Sequence, residues 1–313
     1  MKKRTVFGGK IEAVPGTKET LTVTNAAFNV YDLEIETDIP LDERQAQGSA
    51  GTQRSSVGGH KGKATFKIDL GFDGLVLPTW ADLVFPCCGL VKTGNVFAPK
   101  TQTPDTAGAT VKTMTIGKWM DGKYEHIYGA MGTFKLVLPT AKTPYFEFEF
   151  EGVYGGEADA AVVAPTYPAD TKLRCAGGPV TWIANAMCVE SMTFDVANVL
   201  YLKQCSTTVQ GFDMAMVSDR KPKVTANPES KLVAGQARQA LLLAGTEGPL
   251  RYVVPAPGYN SGTGAKSFEL LCSQAQLMSR KEIDREGMAA DDLGWQINNS
   301  LVVDSDFTLS FNI

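Results

Sequence analysis

The chain has 313 residues, of which 43% are hydrophobic and 20% are charged, and its formal net charge is −4. This apolar content suffices for a buried core and excludes disorder as the main state. Because no run of about 18 apolar residues occurs, we expect no membrane-spanning helix. A mildly acidic chain also lacks the basic patch of most nucleic-acid-binding proteins, so the charge argues against such binding.

Most of the sequence predicts β-strands. Polar and apolar residues alternate in 20–24, 31–36, 63–70 and 132–138. This period of two marks strands with one buried and one polar face. It is typical of antiparallel sheets, since parallel sheets show continuous apolar runs. The predicted fold class is therefore mainly β.

Helical signals are few. Thr79 as N-cap, with Asp82 three residues later, predicts one short helix. The pair Asn227-Pro228 predicts the start of a second helix, which ends at Gly235 or at about Leu243. The predicted helices are thus short elements flanking a sheet.

Long loops and a linker are indicated by composition. The segments 40–62 and 92–110 are rich in Gly, Ser, Thr, Gln and Pro, and they predict long loops, which usually carry function in compact domains. The stretch 155–179 holds several glycines and prolines and predicts a linker.

An internal repeat is indicated by the order of elements on either side of that linker. Residues 26–35 align with 184–194, a polar loop, a strand and a helix follow in each half, and a closing hairpin at 126–148 aligns with 268–311. Since repeats decide the architecture, we predict a tandem duplication. The predicted boundaries are an N-terminal arm at 1–18, a first β-domain at 19–154, the linker at 155–179 and a second β-domain at 180–313.

Residues suited to catalysis or metal binding are scarce. The six cysteines form no C-x-x-C pair, and neither His60 nor His126 has a Cys or His neighbour at ligand spacing. Zinc-site, nucleophile-elbow and P-loop motifs are absent as well. We therefore predict a protein that is not an enzyme and takes no cofactor or metal. The basic N-terminus lacks the apolar stretch of a signal peptide, so we expect reduced, mostly buried thiols and folding in the cytoplasm.

Two predicted strands carry rows of acidic residues on one face. Like charges two residues apart repel, so such rows do not serve stability. They fit either a solvated outer face or the wall of a pore that must repel a passing polyanion. The residues are Asp32, Glu34 and Glu36 in the first strand, and Glu147, Glu149 and Glu151 in the second, where they alternate with phenylalanines.

Five stretches carry a resemblance to a known family through their order and spacing. They are IEAVPGT at 11–17, PTWADL to CG at 78–89, YGAMGTFKL at 128–136, FEFEFEG at 146–152 and SDRKP at 218–222. Over nearly its whole length, the sequence loosely resembles the tail tube (major tail) proteins of long-tailed, siphovirus-like bacteriophages.

The resemblance implies a β-sandwich or partial barrel with short flanking helices and long loops, here in tandem. Six such domains form a ring around a continuous inner β-barrel, and rings stack into the hollow tube through which the genome is ejected into the host. With two copies per chain, trimeric pseudo-sixfold rings are favoured, and hexameric rings are the alternative. The implied partners are the chain itself, tape-measure proteins and tail-end proteins.

The resemblance also implies a location and roles for residues. The protein would lie in the virion tail after assembly in the host cytoplasm, with DNA passing through without specific binding and no membrane involved. The acidic rows would face the lumen, while the N-terminal arm and the long loops make ring-to-ring contacts. The loop residues expected there are Arg44, Gln47, Arg54, His60 and Lys61.

Other functions remain as alternatives. One is a different phage tail component, such as a terminator, baseplate or sheath-like protein. Another is a carbohydrate-binding β-sandwich module, although the four tryptophans are scattered along the sequence. A hydrolase using Glu147 and Glu149 is least favoured, because no partner general acid is evident.

Overall fold

A computed structural model of the chain describes residues 4–26, 28–44, 48, 54–74, 76–102, 111–257 and 266–313. These residues form a mainly β protein with few, short helices, which confirms the predicted fold class. The alternating segments become strands because one face of each can be buried while the other remains hydrated.

The first half of the chain contains eleven described strands and one α-helix. They are β1 (Thr5–Ile11), β2 (Tyr31–Asp38), β3 (Leu41–Asp42), β4 (Ser56–Val57), β5 (Lys61–Asp69), β6 (Gly71–Asp73), α1 (Thr79–Val84), β7 (Leu90–Thr93), β8 (Val96–Pro99), β9 (Met114–Met120), β10 (Lys123–Pro139) and β11 (Tyr145–Asp159).

The remainder has the same number of described strands and one further α-helix. They are β12 (Asp170–Lys172), β13 (Val180–Trp182), β14 (Asn185–Ala186), β15 (Val189–Asp195), β16 (Asn198–Gln204), β17 (Phe212–Arg220), β18 (Lys223–Pro228), α2 (Arg238–Leu243), β19 (Glu247–Pro255), β20 (Ser267–Arg285), β21 (Met288–Asn298) and β22 (Phe307–Asn312).

Sixteen of the described strands belong to one antiparallel sheet. Its main path is β14-β13-β19-β20-β21-β18-β15-β10-β11-β5-β2, with β1, β9, β22, β8 and β7 attached beside it. Three two-stranded sheets accompany it, formed by β3 with β4, β6 with β12, and β16 with β17.

The two halves of the sheet have the same strand order. The first runs β1-β9-β10-β11-β5-β2, and the second runs β13-β19-β20-β21-β18-β15. Numbered along the chain within each half, both read 1-4-5-6-3-2. In both, a hairpin lies between the second and third of these strands and a helix between the third and fourth. The topology therefore supports the predicted duplication.

One alignment used to predict the repeat is wrong in its last part. The equivalent of β11 is β21, which pairs with β20, and not the segment 307–311. That segment forms β22, which pairs with the opposite side of β20. Both segments alternate polar and apolar residues, so their patterns alone do not distinguish them.

The halves share one hydrophobic core. Phe134 and Phe146 from the first half lie in the same buried cluster as Phe194, Phe268 and Phe311 from the second. Burying each such side chain contributes about 1.5–3 kcal/mol, so the cluster ties the two repeats into one folding unit. The repeats are consequently two parts of one continuous sheet and core.

The segments predicted as an arm and a linker are partly ordered in sheets. Residues 5–11 of the arm form β1, which pairs with β9 along its full length. Phe7 is buried there and lies 4.8 Å from Phe66, ring to ring. At the other boundary, β11 runs on to Asp159, and β12 pairs with β6. Apolar residues in these segments can join the core, which explains the order.

Both predicted helices exist, but their starts differ from the prediction. Thr79 is the first residue of α1 rather than its cap, and its backbone N–H and hydroxyl both donate to the Asp73 carboxylate. The second helix begins only at Arg238. Pro228 instead belongs to β18 opposite Val189, where strand pairing outweighs the local helix-start signal.

Candidate functional site

The acidic rows lie on one face of the sheet, as predicted. On β11, Phe146, Phe148 and Phe150 are buried, while Glu147 and its acidic neighbours project from the other side. On the edge strand β2, Asp32, Glu34 and Glu36 are exposed. We call this polar side, along β2-β5-β11-β10-β15-β18-β21-β20, the charged face.

Lysines of β5 lie between the two acidic strands. Lys63 is 2.8 Å from Glu149, and Lys67 is 3.3 Å from Asp32 and 3.5 Å from Glu147. The hydrogen bond to Glu149 raises the pKa of Lys63, and the one to Asp32 raises the pKa of Lys67. The charged face is therefore mixed in sign. Sequence analysis missed these partners, although alternate lysines in KGKATFK, residues 61–67, signal them.

The alternation of charge continues across the sheet. Lys135 of β10 lies opposite Glu147, and Asp195 of β15 lies 3.9 Å from Lys135 and 3.6 Å from Lys223 of β18. The resulting charge ladder crosses six neighbouring strands. Its members, in strand order, are Asp32, Lys67, Glu147, Lys135, Asp195 and Lys223.

The ladder crosses the junction between the two halves, which is a strand pairing. Residues 135–139 of β10 pair with 191–195 of β15. Beneath the ladder, Leu136 lies opposite Phe194 and Leu138 opposite Met192, all of them buried. We call this pairing the internal junction.

The chain that follows β15 forms further hydrogen bonds along the edge of β10. The backbone N–H of Val196 donates to the Phe134 carbonyl at 3.2 Å. The Asn198 side chain donates to the carbonyls of Gly132 and Cys88, both at 2.9 Å. These bonds satisfy edge groups that would otherwise need water.

The hairpin β16–β17 then crosses over the first half. A Cβ on Gly59 would lie 2.3 Å from the Phe212 ring, and one on Gly129 would lie 3.0 Å from the Asp213 carbonyl oxygen. The backbone N–H of His60 donates to the Gln210 carbonyl, and the Lys61 amine lies 5.6 Å from the Phe212 ring centroid. Close contact at both glycines holds the hairpin in place.

The expected ring-to-ring residues have different surroundings. His60 and Lys61 contact the β16–β17 hairpin of their own chain, as described above. Arg44 is exposed and pairs with Asp42 at 3.1 Å, and Arg54 is exposed. Gln47 lies outside the described residues. The structure therefore does not bring these five predicted residues together as one site.

Several strand edges have no partner among the described strands, and two of them belong to the strands that carry the charged face. Among the described strands, β2 pairs only with β5. Within the described residues, β20 pairs only with β21 beyond Gln276. The other edge of 278–285 therefore has no strand partner there. These edges lie at opposite ends of the eight-strand run that carries the charged face.

A groove of about 640 Å³ adjoins the open edge of β20. Three cations line it, Arg220, Lys221 and Lys223, and Met278, at 56%, is its one exposed apolar residue. The Trp295 side chain lies in the core, 5.6 Å from Trp182 ring to ring, and its Nε1 has no partner among the described residues. The apolar lining residues are Pro222, Val224, Met278, Trp295 and Ile297.

Other kinds of site were sought in the described part of the chain. It contains no group of three or more His, Cys, Asp or Glu side chains arranged to hold a metal ion. None of its helices has the length and apolar character needed to cross a bilayer. Comparison with protein-family models and with curated proteins finds no match.

Proposed function

We propose that this chain is the structural subunit of a phage tail tube, in which three chains close a ring and rings stack into a conduit for DNA. The observation that carries the proposal is the internal junction. There, one repeat completes the sheet of the next by edge pairing, while the equivalent edges of β2 and of the later part of β20 have no partner among the described strands.

Repetition of such a contact builds a closed assembly. A head-to-tail contact between unlike surfaces forms a ring when its rotation closes. The internal junction is one such step, and a contact between β20 and the next chain's β2 would be the same step between chains. The resemblance to tail tube proteins sets the number of repeats at six, which corresponds to three chains. Ring closure would also remove both open edges.

The charged face fits the inside of such a ring. The opposite face is covered by α1, whose Trp80 lies 5.3 Å from Phe146, and by β22 through Phe311. When sheets close into a barrel, the outer surface has more room than the bore, so the face covered by a helix and a further strand fits the outside. The charged face would therefore line the bore, where paired lysines leave no free row of cations to hold phosphates.

Assembly and symmetry test the proposal. Electron microscopy of the purified protein is expected to show hollow rings or tubes whose averages have threefold symmetry. Mass measurement of single rings is expected to give three chains. A chain that stays monomeric as its concentration is raised, or rings of six chains, would contradict the proposal.

The direction of the charged face has a separate test. Replacing Glu147, Glu149 and Glu151 by Lys is expected to leave assembly intact but slow DNA ejection from phage particles. The matched control, D82K/E157K/D159K, makes the same charge change away from the ladder and is expected to eject normally. Equal ejection rates in both variants would place the charged face elsewhere.

A further inference from the structure

We propose that the groove beside β20 and the open edge of β20 receive strand β2 and the β3–β4 hairpin of a second copy of this chain. This inference rests on the proposed function and identifies the partner and the contact surfaces. It differs from the expectation for the loop at 40–62, because it places that loop between chains within one ring rather than between stacked rings.

The argument begins with equivalent positions in the two repeats. Strands β2 and β15 are the second sheet strand of their halves, and β10 and β20 are the fifth. Hairpins β3–β4 and β16–β17 both follow the second strand. Within the chain, β15 pairs with β10 and its hairpin lies over that half. The equivalent place on the second half, beside β20, holds none of the described strands of the same chain.

The two open edges have complementary charge. On the charged face, β20 presents Lys281, which lies opposite Asp292 of β21 in the strand pairing. On the same face, β2 presents Glu34 and Glu36, and all of these side chains are exposed. Pairing the edges would place Lys281 beside the acidic row of β2 on that face. It would continue between chains the alternation that Lys135 and Asp195 make inside the chain.

The hairpin and the groove both expose apolar side chains. Leu41 and Val57 lie directly opposite each other in β3–β4 and are 59% and 63% exposed. Removing such a paired apolar surface from water would stabilise the contact. The groove offers the exposed side chain of Met278 as an apolar contact for these two residues.

Cross-linking tests the contact directly. Val57 and Met278 lie near opposite ends of an eight-strand run, about 30 Å apart at ordinary strand spacing. In the variant V57C/M278C, a short bismaleimide is therefore expected to join different chains and give covalent oligomers. The controls are each single variant and V209C/M278C, whose Val209 lies on the internal hairpin between β16 and β17. Cross-linked oligomers no more abundant than in these controls would overturn the inference.

Charged substitutions test whether the contact closes the ring. The variant L41D/V57D changes two exposed residues, so the monomer is expected to fold and to lose ring formation. The control V76D/L243D makes the same change at exposed apolar residues elsewhere and is expected to form rings. K281E is expected to lose rings and to regain them when combined with E34K/E36K.

The outcomes separate this inference from the proposed function. If wild-type protein forms threefold rings and L41D/V57D forms them equally well, the inference is wrong and the proposed function stands. Single, unstacked rings of L41D/V57D would assign the loop to contacts between rings and would also overturn the inference. If wild-type protein forms no rings but V57C/M278C cross-links between chains, the contact exists and the tube function fails.

Discussion

The edges of β10 and β20 occupy equivalent places in the two repeats but have different surroundings. The later part of β10 is covered by β15, and the core-facing residues at that junction, including Leu136 and Phe194, are fully buried. The later part of β20 has no described strand on its outer edge, and it carries the exposed residues Lys281, Glu282 and Asp284.

The difference follows from how each edge is covered. The partner of β10 is on the same chain, so its edge is covered in every folded molecule and can be apolar. The edge of β20 has no such partner among the described residues, so its charged groups are hydrated in the monomer. Charged side chains on an open edge prevent indiscriminate strand pairing, and they permit pairing with an edge of opposite charge.

The largest expected effect comes from changing the internal junction. Phe194→Ala removes a ring that lies 4.8 Å from Phe307 and 6.3 Å from Phe134. We expect the free energy of unfolding to fall by about 3–5 kcal/mol, the usual cost of such a cavity. Denaturant titration of the monomer measures it.

The matched variant at the open edge is Ile35→Ala. Ile35 is only partly buried on β2, so we expect a loss of about 1 kcal/mol in the monomer. The same substitution is expected to weaken ring formation, because that strand would be covered by the next chain. Equal losses from both substitutions in the monomer would mean that the open edge is already part of a closed core.

A smaller effect is expected where the β16–β17 hairpin meets the first half. Gly129 has φ +58°, and an added Cβ would lie 3.0 Å from the Asp213 carbonyl oxygen and 3.1 Å from the Met214 Cα. Gly129→Ala therefore combines backbone strain with a steric contact, and we expect a loss of about 1–3 kcal/mol.

Gly122→Ala separates the two contributions. Gly122 also has positive φ, at +91°, but an added Cβ there would have no neighbour within 4 Å. It reports strain without contact, so its loss of stability is expected to be smaller than that of Gly129→Ala. Protease digestion of the hairpin at 198–220 should accelerate only in Gly129→Ala. Equal behaviour of the two variants would mean that the hairpin does not depend on close approach at Gly129.

Local patterns in the sequence predict the strands and their faces well. The period-two alternation at 146–151 correctly separates buried phenylalanines from outward glutamates. Local patterns do not predict which strands pair when the partners are distant in sequence. The internal junction joins residues such as Leu136 and Phe194, and neither flanking segment signals the other.

The same limit explains the misplaced features of the candidate site. His60 and Lys61 lie in a polar segment that suggests an exposed loop, but their neighbour Phe212 comes from the other half of the chain. The charges of the ladder also come from six strands, and only the two acidic strands, β2 and β11, are recognisable as charged rows in the sequence. The net charge of a segment does not show that β5, with its lysines, lies between the two acidic strands.

The smallest expected effect concerns an ion pair of the charged face. Glu149 and Lys63 form an ion pair at 2.8 Å, with side chains 45% and 39% exposed. Exposed pairs of this kind contribute about 0–1 kcal/mol, so Glu149→Gln is expected to change the free energy of unfolding by less than about 1 kcal/mol. Glu36→Gln, at the open edge, is expected to have as small an effect on the monomer but to reduce ring formation at low salt. If Glu149→Gln instead destabilised the monomer as much as Phe194→Ala, the charged face would be required for folding. Its composition would then give no reason to place it along a bore, since folding alone would account for the charges.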